Sequence, residues 1–253
     1  MNQVGFAVIA ILMLMLAGCV SETSQSNRAE SKAKQVQSLV DLGVGYLRNG
    51  EYARAKENLT RALEINPNSP LAHNTLALVF QLEQEYEAAE DHFKIAIKTD
   101  PKFTRARNNY GAFLFERGRY RDAIVQLEQA SEDRFYAGRS TVFENLGVAH
   151  TRLGNSAEAE RAFERSVALN PEQPRALLEL GLIRLEQQRF VESRELYRRH
   201  ARVAPQSARG LFLCVRVSRV FKDNNEEASC ALALKNVFPG SNEYKKYREL
   251  VSK

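Results

Sequence analysis

The chain has 253 residues, 44% of them apolar, with 36 Lys and Arg set against 31 Asp and Glu. That balance belongs to a globular protein with room for a large core, and it excludes a disordered or collagen-like chain. Three Cys exclude a disulfide-dense scaffold, and the net charge of +5 is spread among interleaved acids, which argues against a nucleic-acid-binding patch. In chain order, residues 4–17 come first: fourteen apolar residues or glycine without a charge. A membrane-spanning helix needs about 20 apolar residues and a signal-peptide core about 7 to 15, so residues 1–18 read as a signal peptide. Residues 20–34 are rich in Ser, Gln, Glu and Lys and lack apolar periodicity, which predicts a flexible tether over 19–34.

The run Leu16-Ala17-Gly18-Cys19 resembles the lipobox of bacterial lipoproteins. The resemblance implies that Cys19 receives diacylglycerol, becomes the mature N-terminus and is then acylated on its amine, as in palmitate-bearing lipoproteins. Val20 and Ser21 follow Cys19, and in that family the lack of an Asp in the second position implies residence at the outer membrane, facing the periplasm. Two or more acyl chains, at about 0.8 kcal/mol per buried methylene, anchor a protein firmly.

Beyond the tether the chain repeats itself. Pro67, Pro101, Pro171, Pro205 and Pro239 end similar segments at steps of 34, 70, 34 and 34. Small residues recur at one internal position (Gly43, Ala77, Gly111, Gly147, Gly181) and at a second (Ala55, Ala89, Ala123, Ala159). Such pairs let two antiparallel helices approach closely, while Asn49-Gly50, Gly118 and Gly154-Asn155 suit the turns between them. A period of about 34 resembles the tetratricopeptide repeat (TPR) family. The resemblance implies an all-α TPR superhelical solenoid of six repeats over 35–239 (36–69, 70–103, 104–139, 140–173, 174–207 and 208–239), with a capping helix over 240–253. The third segment lacks its Pro, which predicts a bend or longer loop near 131–139. Ser193 and His200 replace the usual Ala in the fifth segment. The sixth falls out of phase by one residue around Glu227-Ala228, which predicts a distorted last repeat.

In TPR proteins certain first-helix positions line a concave face. Here they imply a partner groove containing Asn74, Leu78, Asn108, Asn109, Phe115, Asn145, Val148 and Arg152. Asn side chains donate and accept, so they can hold the backbone of an extended peptide; the alternative is that they cap or bridge neighbouring helices. With Cys19 lipidated, Cys214 and Cys230 remain, 16 residues apart across a hairpin. They stand either bridged, stabilising the last repeat by about 2–3 kcal/mol in an oxidising compartment, or as two buried thiols.

Catalytic patterns are missing. There is no His-Glu-x-x-His zinc motif, phosphate loop or nucleophile elbow, and the four His are dispersed. The expectation is therefore no enzyme, no cofactor, no metal and no small-molecule substrate. Asn108-Asn109-Tyr110-Gly111-Ala112-Phe113-Leu114 with Gly118-Arg119-Tyr120, and Phe238-Pro239-Gly240-Ser241-Asn242-Glu243-Tyr244, resemble the type IV pilus pilotin lipoproteins. That resemblance, together with the lipobox, six repeats and the terminal Cys pair, implies a partner: an outer-membrane secretin subunit, escorted and helped to multimerise for pilus biogenesis. The alternative is a lipoprotein adaptor for cell-wall synthases or outer-membrane protein assembly.

Overall fold

A computed structural model of the chain describes residues 27–252. The leader, Cys19 and the first part of the expected tether lie outside these residues. Among the described residues every regular element is helical. The chain falls into two compact units, one up to Ala106 and one from Arg107. The first holds α1 (27–48), α2 (Tyr52–Ile65), α3 (Pro70–Leu82) and α4 (Tyr86–Thr99). Helix α5 (Thr104–Glu116) crosses the division. The second unit continues with α6 (Tyr120–Ser131), α7 (Arg139–Arg152), α8 (Ser156–Leu169), α9 (Pro174–Glu186), α10 (Phe190–Val203), α11 (Ala208–Val220), α12 (Asn224–Val237) and α13 (Asn242–Val251).

The helices alternate as first (A) and second (B) members of hairpins, and one backbone device closes each hairpin. The residue at Gly50, Gln84, Gly118, Gly154, Gln188 or Lys222 takes a positive φ of 56–76°. The next N–H then reaches back to a carbonyl five residues earlier, as in Glu51 N to Tyr46 O at 2.9 Å and Arg189 N to Arg184 O at 2.8 Å. This is the Schellman arrangement, which satisfies carbonyls that a helix end leaves unpaired. Three repeats use Gly here and three accept the strain of a side chain.

Close packing within the first, third and fourth hairpins depends on the missing side chain of an A-helix glycine. A Cβ on Gly147 would stand 2.6 Å from the Phe163 ring, and one on Gly111 would stand 2.6 Å from Leu127 Cγ. Leu59, Phe93, Leu127 and Phe163 fill this position on successive B helices and are fully buried. Connectors between repeats are braced by side chains. Asn66, Asp100 and Asn170 each precede a Pro and accept the N–H two residues on, at 3.0–3.1 Å. Asp133 does the same for Phe135 N at 3.0 Å without a Pro. There the connector lengthens to 132–138, against 66–69 and 170–173 elsewhere. It is tied down where Arg139 Nε donates to Ser131 O at 2.9 Å.

Three expectations need correction. Residues 27–34 are not a flexible tether: they form the first turns of α1, with Glu30 and Lys34 paired at 2.7 Å one turn apart. Good helix formers and an i,i+4 ion pair can support helix without an apolar period. The last repeat is not out of phase. Ala208 and Asn224 begin α11 and α12, each 34 residues after Pro174 and Phe190, which begin α9 and α10. Glu227 occupies the usual Ala position, while Cys230 and Leu234 stay buried and hold the register. The 34-residue period also sets Leu42 in register with the buried Leu76 and so predicts it inside, but it is 49% exposed.

Gly147→Ala is expected to lower stability by about 1–3 kcal/mol, because Phe163 has nowhere to move. Gly45 has open space around it; Gly45→Ala should be neutral or stabilise by up to about 1 kcal/mol. Urea titrations of the two variants check both.

Candidate functional site

The expected groove residues divide between the units. In the first, Asn74 is buried and Leu78 half-buried on α3. In the second, Asn108 is buried on α5 and accepts a hydrogen bond from Asn145 Nδ2 at 3.2 Å, which bridges α5 to α7. Those two side chains hold helices together, the alternative role considered above. Asn109 is half-buried on the same helix. Phe115 packs against the core cluster that includes Val148, beside the Tyr120 ring at 5.2 Å. Arg152 is exposed at the end of α7.

Val148 and Arg152 nevertheless line an open recess of about 620 Å³ in the second unit, with Thr151, Arg175, Glu179, Arg209, Asn242 and Glu243. Four successive odd-numbered helices, α7, α9, α11 and α13, supply these residues. Arg209 Nη2 donates to Glu179 Oε2 at 2.8 Å, and Arg216 Nη1 to Glu186 Oε1 at 2.7 Å, so ion pairs link α9 to α11 along this face. The pairing with Glu179, opposed by burial and aided by the charges of Glu179 and Glu243, holds the Arg209 guanidinium above its ordinary pKa. Arg152 and Arg175 have no carboxylate partner among the described residues, which leaves two cations open to a partner chain. The sequence reading missed Arg175, Glu179 and Arg209. Extending the Asn145 position by one repeat finds Glu179, whereas Arg175 and Arg209 stand at the position of Thr141, which that reading did not include.

Behind the recess, Arg184 on α9 is buried with 4% of its side chain exposed. It binds Glu160 and Glu164 of α8, Glu192 of α10 at 3.3 Å, and Gln187 at 3.0 Å. Burial pushes the Glu160 carboxyl up, but hydrogen bonds from Arg184 and Gln187 and the charges of Arg184 and Arg189 outweigh it, so its pKa lies below the usual range. A carboxyl lowered by folding stabilises the native state above its unfolded pKa and ceases to do so as pH falls through its folded value. Arg184→Ala should therefore cost about 2–3 kcal/mol at neutral pH, less than a fully buried pair because Glu164 and Glu192 are half-exposed. The difference from the parent should shrink in urea melts near pH 3.

Among the described residues no group of three His, Cys, Asp or Glu could hold a metal, and no helix is long and apolar enough to cross a membrane. Two His do meet, however: His73 and His92 bring their Nδ1 atoms to 2.8 Å. His73 Nε2 lies 3.0 Å from Pro67 O and so carries the proton; its Nδ1 accepts from His92. Burial, and then the neighbouring His73, lower the His92 pKa. The pair is a satisfied core contact. Cys214 and Cys230 are joined as a disulfide, with Cα atoms 6.2 Å apart.

Comparison with known proteins fits this geometry. The tetratricopeptide repeat family matches residues 40–102, 103–172 and 145–208. The chain is 38% identical over 244 residues to the type IV pilus assembly protein PilF of Pseudomonas aeruginosa, covering 96% of this chain and 97% of that protein. The solved structure of Pseudomonas aeruginosa PilF superposes with a TM-score of 0.85 at 39% identity, over 87% of this chain and 99% of that one. PilW, a type IV pilus biogenesis factor, shares the fold with a TM-score of 0.70 at 23% identity, over 84% and 97% of the two chains.

Proposed function

The chain belongs to the PilF family of tetratricopeptide repeat proteins, a non-enzymatic scaffold family, and from that premise we propose that it acts in type IV pilus biogenesis by binding the outer-membrane secretin subunit and promoting its localisation and multimerisation. The observation that carries this reading is 38% identity to a type IV pilus assembly protein across nearly the whole of both chains. In the proposal, Cys19 bears the acyl chains that hold the protein at the outer membrane, on its periplasmic side. The recess over α7, α9, α11 and α13 holds a segment of the secretin. Anchor and recess together raise the effective concentration of subunits beside the membrane, so assembly proceeds without tight binding of each one. The bridge between Cys214 and Cys230 fits an oxidising compartment and would keep the last repeat closed while a partner is held.

Three variants test separate parts. Deleting the gene should abolish secretin multimers in envelope fractions while cell shape stays normal; multimers at the parental level would exclude the role. Cys19→Ser should leave the protein folded but shift it out of the membrane fraction and reduce multimers. Arg152→Glu with Arg175→Glu changes exposed side chains and should leave thermal stability within about 0.5 kcal/mol. It should reduce secretin recovery in pull-downs at least about tenfold; undiminished recovery would remove the recess from the account.

A further inference from the structure

The fifth repeat departs from the packing code of the others, and the departures gather around one cavity. Where earlier B helices carry Ala62, Ala96, Ala130 and Ser166, α10 carries His200. Where they carry Leu59, Phe93, Leu127 and Phe163, α10 carries Tyr197. The following A helices carry Ala72, Ala106, Val142 and Ala176 at one position, and α11 carries Gly210 there. The exchange is coupled: a Cβ on Gly210 would come within 3.1 Å of His200 Nε2. The ring is fixed by its other nitrogen. His200 Nδ1 donates to Pro174 O at 2.9 Å, just as Ser166 Oγ donates to Ser140 O at 2.8 Å one repeat earlier. With that proton on Nδ1, Nε2 of the neutral ring presents a lone pair, and none of the described residues bonds to it.

His200 lines a half-open cavity of about 310 Å³ between α10, α11 and α12. Glu226 is the one carboxylate in its lining, and no Lys or Arg contributes. Its Oε2 accepts from Ser218 Oγ at 2.8 Å, which fixes the carboxylate. The Tyr197 hydroxyl stands 3.7 Å from Cys230 Sγ. Burial first, then the negative charge of Glu226, raise the Tyr197 phenol above its ordinary pKa. Ala201, Ala204, Pro205 and Ala233 form apolar walls around these polar groups. Polar side chains placed where sibling repeats keep apolar ones oppose packing, and such local departures mark sites of function.

We propose that this cavity receives the basic side chain of a partner polypeptide, a lysine or arginine whose methylene stem lies along the alanine and proline walls and the His200 ring and whose charged head pairs with Glu226. The lining holds one carboxylate, no cation and several apolar walls, which is the complement of an alkyl chain ending in a cation. This site is separate from the recess over α7, α9, α11 and α13 and does not depend on what that recess holds.

The test titrates the full chain with Nα-acetyl-lysine N-methylamide and follows backbone amide signals by NMR. The proposal predicts saturable shifts at Gly210, Ser229 and Cys230, with a dissociation constant of about 1 mM for so small a fragment. The norleucine analogue, with the same stem and no charge, should bind at least about tenfold more weakly, as should the lysine probe to Glu226→Gln. The pair His200→Ala with Gly210→Ala restores the Ala–Ala combination of the first two repeats. It should keep the thermal transition and weaken the response. No saturable shift in the parent, equal binding of the norleucine analogue, or an unchanged response in both variants would overturn the proposal. Tighter binding of putrescine would overturn it in favour of a free amine.

Discussion

One steric relation underlies the first four repeats of this protein: a large B-helix side chain enters the space left by a missing or minimal side chain on its A helix. Phe163 against Gly147 and Leu127 against Gly111 show how little tolerance there is, since a single added carbon would stand 2.6 Å from the ring or branch. Overpacking of this kind is not relieved by small shifts in a densely packed interior. The relation fixes the distance within these hairpins and so contributes to the spacing of successive odd-numbered helices. That spacing in turn determines which exposed A-helix residues, such as Arg152, Arg175 and Arg209, stand side by side.

Much of this was legible in the sequence because its physical cause is local. The positive-φ turn demands Gly or a tolerant polar residue, and the Pro steps mark the connectors. The misreadings have equally local causes. Residues 27–34 lack an apolar stripe, yet Arg28, Ala29, Glu30, Lys32 and Ala33 are good helix formers, and polar helix is invisible to a search for apolar periodicity. The last repeat looked displaced because Glu227 stands where Ala is usual, but the buried Leu234 and the Cys214–Cys230 pair keep it in register. Asn108 and Asn145 carry the right chemistry for holding a peptide, and each commits part of it to the other. No sequence pattern distinguishes a side chain that faces a partner from one that faces the next helix.

The final repeats differ from the first ones in kind. Arg184 gathers three carboxylates from its two neighbouring helices, and Arg209–Glu179 and Arg216–Glu186 tie α9 to α11. Buried charge is retained at some cost in stability, and its benefit is a specified arrangement of helices. A scaffold that holds another chain needs such definition more than it needs added stability. The same region carries the recess with its two unpaired Arg, the polar cavity around His200 and the disulfide. The second unit thus concentrates features that helix packing alone does not require.

The central claim is that the face built by the odd-numbered helices of the second unit grips the pilus secretin. It is tested most directly by placing a photo-crosslinking amino acid at single positions in living cells and identifying what is captured. The account predicts secretin adducts from position 175, in the recess, and none from position 232, on the exposed side of α12. Secretin captured only from 232, or a different polypeptide captured from 175, would contradict it.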